Sequence, residues 1–105
     1  MIISKELLSD VLEEKVVRVH IMENMTYIYF LDSNQEYFMN IHELANKCKE
    51  WASIKGFRLT SFQDLEDGCC EVSESISYPP CLFSQICKTE AEAIFEACQW
   101  ILDNG

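Results

Sequence analysis

The chain has 105 residues and a mass of 12.2 kDa, enough for one domain with a single core and too little for two. Half of it is hydrophobic (49%) and 11% aromatic, which excludes a disordered tail. Eighteen acids against eight lysines and arginines give a net charge of −10, a field that repels nucleic-acid backbones and anionic membranes. Acidity of this kind keeps a small protein in solution, and it also attracts basic proteins. It is uneven: residues 1–56 hold six bases and nine acids, and residues 57–105 hold two and nine, net −3 and −7. No apolar run approaches the roughly 20 residues that cross a bilayer. Met1 to Glu14 carries acids where an export signal would be basic and then apolar. A cytoplasmic protein is the expectation.

In chain order, Ser4 opens a short helix in which Leu7, Leu8, Val11 and Leu12 recur at helical spacing. The period then falls to two. In Lys15 to Met22, Val17, Val19 and Ile21 alternate with Val16, Arg18, His20 and Met22, a strand with one apolar face. Glu23 to Met25 is a turn, Thr26 to Leu31 a second strand, Asp32 to Gln35 another turn, and Glu36 to Met39 a third strand. Such short links predict an antiparallel meander.

Asn40 to Gly56 is the strongest helix of the chain. Ile41, Leu44, Ala45, Cys48, Trp51 and Ala52 form its apolar stripe; Asn40 and Glu43 make a capping box, and Gly56 supplies a left-handed stop. Phe57 to Phe62 then alternates as a strand, Asp64 to Gly68 turns the chain, and Cys69 to Ile76 pairs back. Ser77 to Pro80 is a break. Cys81 to Cys87 reads equally as an edge strand or a loop. Thr89, with Glu92, caps a last helix whose stripe of Ala91, Ile94, Phe95, Cys98, Ile101 and Leu102 repeats that of the central helix 50 residues on. The expectation is an α+β domain spanning residues 1–105: an antiparallel sheet of about five strands, two main helices on one face, and a short N-terminal helix, in the order α-β-β-β-α-β-β-(β)-α.

Three of these stretches resemble a group of small uncharacterised phage and prophage proteins of ε-proteobacterial type: I-S-K-E-L-L-S-D-V-L (Ile3 to Leu12), N-I-H-E-L-A-N-K-C-K-E-W-A (Asn40 to Ala52) and T-E-A-E-A-I-F-E-A-C-Q-W-I-L (Thr89 to Leu102). More loosely, the element order is similar to that of phage α-β-α sandwich domains. The group leads to proline where this chain has Ala91, a first-turn position. The resemblance implies a mobile-element origin and an α+β fold, and it carries no catalytic residues.

The residues with chemistry on them are scattered. His20 sits on the less apolar strand face and His42 in the first turn of the central helix, each without a sequence partner for acid–base work. The six cysteines at 48, 69, 70, 81, 87 and 98 include no C-x-x-C pair, and no metal or other cofactor is expected. There is no Gly-rich phosphate loop, G-x-S-x-G or H-E-x-x-H. Asp64, Glu66, Asp67, Glu71 and Glu74 lack the spacing of a calcium loop and read as a solvated hairpin, a candidate acidic interaction surface. Tyr27, Tyr29 and Tyr37 are placed with Arg18 and His20 on one sheet face; aromatics there can stack bases, but the net charge favours a face half covered by the N-terminal helix or a protein contact.

Ala93, Ala97 and Trp100 lie off the main stripe of the last helix, on a side the sheet is not expected to cover. They form a candidate homodimer contact. The expected function is therefore a non-enzymatic protein-binding accessory protein. The rivals are an acidic mimic of nucleic acid that blocks a host defence or replication protein, and a small protein that sequesters signalling nucleotides. For the last, the arginines that would hold phosphate are missing from Thr89 to Gly105.

Overall fold

The computed structural model describes residues 3–32, 35–74 and 81–105. The turn residues Ser33 and Asn34, the end of the strand expected to reach Ile76, and the Ser77 to Pro80 break lie outside them. The described elements are α1 (Lys5–Leu12), β1 (Val16–Met22), β2 (Met25–Phe30), β3 (Glu36–Asn40), α2 (Ile41–Ile54), β4 (Phe57–Gln63), β5 (Gly68–Glu74), β6 (Phe83–Cys87) and α3 (Glu90–Asn104). The expected element order holds, and the segment from Cys81 to Cys87 contains a strand.

Each helix starts where a side-chain oxygen can take up a free first-turn amide. Ser4 accepts from the Leu7 N–H, Asn40 from His42 and Thr89 from Glu92. After α2, Gly56 takes φ +93°, a conformation that would strain any residue with a Cβ, and the chain turns directly into β4.

Among the described residues, the expected sheet of about five strands is instead two antiparallel sheets of three, β1-β2-β3 and β4-β5-β6, with no ladder between them. The connections explain the division. Within each triplet consecutive strands pair antiparallel, and the two triplets are joined through α2, which packs against β4. One free edge of the first sheet is also spoiled: the register slips between Val16 and Arg18, a bulge that turns Val17 out to solvent and puts Val16 in the core in its place. The apolar face of β1 is thus Val16, Val19 and Ile21, not Val17, Val19 and Ile21.

The molecule measures 44 × 30 × 18 Å. The short dimension holds one layer of helices on one layer of sheet, since each further layer adds about 10 Å. α3 lies at the centre, touching all three strands of the second sheet as well as α1 and α2. Leu7 and Leu8 of α1 enter the same core, along with Ile28 of β2, Leu44 and Cys48 of α2, and Cys70 and Val72 of β5.

Among the described residues one buried side-chain polar group is unmatched. Thr26 is fully buried on β2, opposite Ile21 and Met39, and its hydroxyl has no hydrogen-bond partner. A buried hydroxyl without a partner costs free energy that an isosteric methyl does not. Thr26→Val is expected to raise stability by about 1 kcal/mol in urea denaturation; unchanged or lowered stability would show that the hydroxyl is satisfied in solution.

Candidate interaction surface

The residues expected to form interaction surfaces do not come together. Ala93 and Ala97 are completely buried. Trp100 is half-buried, stacked on Phe83 of β6 at 5.5 Å and edge-on to Phe57 of β4 at 6.4 Å. The side of α3 that was expected to be uncovered is therefore covered by the second sheet, because α3 is buried on two sides: its main stripe meets the other helices and this side meets the strands. The acids are dispersed. Asp64, Glu66 and Asp67 sit at the exposed β4–β5 tip, where the Asp64 carboxylate accepts from the Leu65 N–H. On β5, Glu71 and Glu74 are an odd number of residues apart and point to opposite faces.

Exposed apolar side chains occur in several places, among them Phe62 and Ile86 on either side of Cys69 in the second sheet; three that adjoin a groove lie at the β3 margin of the first sheet. Phe38 is 63% exposed, Leu31 62% and Tyr37 58%. The register explains the layout. Phe38 ends a row across the outer face, His20–Tyr27–Phe38, with ring centres 6.2 and 6.4 Å apart. The next row is Arg18–Tyr29–Glu36, in which the Arg18 guanidinium lies 5.3 Å from the Tyr29 ring centre. The Tyr29 hydroxyl donates to the Glu36 carboxylate, which raises the phenol pKa. Tyr27 and Tyr29 thus share a face with Arg18 and His20 as expected. Tyr37 does not: it pairs with Ile28 on the opposite face and meets Phe30 edge-on at 5.8 Å.

Beside β3 a groove of about 570 Å³ runs between the strand and the helices. Leu12, Phe30, Tyr37, Phe38 and Met39 form its apolar walls; Glu14, Glu43 and Lys47 line its polar part. It continues past Glu14 and Phe30 into a hollow bordered by Glu13, Lys15, Leu31 and Asp32. Two lysines face four carboxylates around this double hollow, so its apolar walls meet a charged rim with an excess of acid. Its signal in the sequence was the consecutive pair Tyr37-Phe38: on a strand one of two neighbouring aromatics must face away from the core.

A second hollow lies where the first turns of α2 and α3 meet, lined by His42, Asn46, Lys49, Gln63 and Glu90 among others. At about 200 Å³ it is below the usual range for small-molecule sites. The Glu90 backbone N–H donates to the Gln63 side chain at 2.7 Å, and the Glu90 carboxylate opposes a phosphate there. Among the described residues no group of three His, Cys, Asp or Glu side chains is placed to hold a metal ion, and no helix is long and apolar enough to cross a membrane.

The cysteines divide by environment. Cys48, Cys70 and Cys98 are buried, and Cys81 is exposed. Burial, with Cys98, Cys69 and Glu90 nearby and against a smaller opposing pull from Lys49, pushes the Cys70 thiol from 9.0 up to about 12; the contact with Cys48, with burial, also raises that of Cys98.

Three outcomes follow from these environments. Trp100→Glu puts a charge between Phe57 and Phe83 and is expected to cost about 3 kcal/mol or to unfold the chain. A folded, stable variant in circular dichroism would place Trp100 outside the core. For the thiols, the folded state holds the proton on Cys70 where an unfolded chain releases it near pH 9. Stability is therefore retained below that pH and lost as pH climbs from about 9 towards 12. Denaturation at pH 8 and pH 10 should show the loss, and iodoacetamide at pH 8 should label Cys81 well before Cys48, Cys70 or Cys98. No family model, no curated protein and no solved structure matches the chain.

Proposed function

We propose that this is a small accessory protein of phage or prophage type that acts by binding another protein, and that the groove beside β3 is its contact surface. The observation that carries the reading is the grouping of Leu31, Tyr37 and Phe38, three large apolar side chains that are each more than half exposed, around one acid-rimmed groove. Exposed apolar surface is costly to keep, and where it is contiguous and polar-rimmed it marks a protein contact. The sequences of all three helices, resembling those of phage and prophage proteins, support the mobile-element setting.

The two histidines lend no support to catalysis. His20 packs by the Tyr27 ring and His42 is exposed at the start of α2, on different elements. Nucleotide sequestration is disfavoured by the small volume and the carboxylate of the hollow between α2 and α3.

Part of this apolar surface can be removed without touching the core, because Leu31 and Tyr37 are exposed. Leu31→Ser combined with Tyr37→Ser is expected to stay folded and to lose a protein that the wild type retains in affinity capture from host cells, read by mass spectrometry with the double variant as control. Identical captured sets for the two proteins would remove the groove from the function.

A further inference from the structure

The backbone of β3 says how a partner would engage the groove. The Ile41 N–H donates to the Asn24 carbonyl at 2.7 Å, one step beyond the Met25–Asn40 pair. In an antiparallel ladder, hydrogen-bonded and non-hydrogen-bonded pairs alternate. With Ile41 and Asn24 of the bonded kind, so are Met39–Thr26 and Tyr37–Ile28. The N–H and C=O groups of Glu36 and Phe38 then turn away from β2 towards the other edge, where no strand pairs among the described residues.

Natural sheets guard such edges with lysine, proline, bulges or a covering element. The β1 edge has its bulge and α1. The β3 segment, Glu-Tyr-Phe-Met-Asn, has none of these residues, and its aromatics are exposed.

Resting on the reading that the groove binds protein, we infer that β3 takes an extended basic segment of the partner as a fourth strand of the first sheet. Strand addition draws affinity from main-chain hydrogen bonds and specificity from pockets that receive alternate side chains. Here the Glu36 and Phe38 amides and carbonyls supply the first, and the groove that Tyr37, Phe30 and Met39 help to line supplies the second. Charge selects the occupant. The rim acids Glu14 and Glu43, with Glu13 and Asp32 beyond, outnumber Lys47 and Lys15 two to one and attract lysine or arginine next to the inserted apolar residue. The net charge of −10 opposes a second copy of this chain and a nucleic-acid strand alike.

The probe is a short, capped peptide of alternating lysine and valine, with alternating glutamate and valine as its control, added to the full chain. The lysine peptide is expected to bind and to slow hydrogen exchange at the Glu36 and Phe38 amides, read by NMR; the glutamate peptide is not. Phe38→Ala and Phe38→Pro both remove the ring, but only proline removes the outward N–H, which β3 does not use against β2. Proline should therefore weaken the lysine peptide about tenfold beyond alanine. Lysine-peptide binding with unprotected edge amides and equal loss in both variants would overturn strand addition, yet leave the groove as a protein contact. Equal binding of the two peptides, or binding of neither, would overturn the basic segment. Edge amides already protected in a peptide-free dimer would show that a second copy occupies the edge. The groove reading itself fails separately, in the capture experiment, where the two proteins would retain the same set.

Discussion

The fold depends on how closely α2 and α3 can approach. They run in parallel. Their first turns share one hollow, the Cys98 thiol donates to the Cys48 carbonyl at 3.5 Å midway, and Phe57, just past α2, lies by Gly105 at the end of α3. Contact at that range requires small side chains, and the chain provides Ala45, Cys48 and Ala52 on one helix and Ala91 and Cys98 on the other, all buried. A parallel pair places both preceding meanders on the same side of the helices. Gly68 fixes the outer limb of this arrangement: a Cβ there would fall 2.0 Å from the Glu90 nitrogen, so β5 can start beneath the beginning of α3 only as glycine.

α1 is secured to this pair by polar contacts placed over apolar ones. The Trp51 indole, buried in α2, donates to Asp10 of α1 at 2.7 Å, which satisfies its N–H while the ring stays in the core. Lys55 lies 3.5 Å from the same carboxylate and over the same ring. Both members of the ion pair are about half exposed, so that bridge contributes at most about 1 kcal/mol and the indole hydrogen bond is the more specific tie. At the other end of α1 the Ser4 hydroxyl, already the cap, donates to Gln99 of α3 at 2.6 Å.

Local signals were legible where local physics decides. The caps at Ser4, Asn40 and Thr89, the stop at Gly56 and the stripes of α2 and α3 were all readable because each is settled within one or two turns. Which strands share a sheet is a long-range question, and alternation in β1 to β6 looks the same in one sheet or two. The bulge at Val17 is invisible for a related reason: valines at 16, 17 and 19 fit either face, and only pairing with Phe30 and Tyr29 chooses. Trp100 was misplaced because a helix at the centre of a domain has more than one buried side, and a single-stripe reading leaves the second side unexplained. The groove was the least legible, since Leu12, Phe30, Tyr37 and Glu43 belong to four different elements.

Thinness and acidity belong to one argument. Helices on only one side leave the outer faces of both sheets and the β3 edge in water, and an unguarded aromatic edge invites pairing with the nearest similar edge, that of another copy. Local lysines are the usual guard, but they would also repel a basic strand. A chain-wide charge of −10 does the discouraging differently. Two like-charged molecules repel over a Debye length, about 8 Å at physiological ionic strength, before their edges meet. A positively charged segment is drawn in over the same distance. Glu36, on the strand itself and held by the Tyr29 hydroxyl, brings that selection to the edge where a pairing strand would lie.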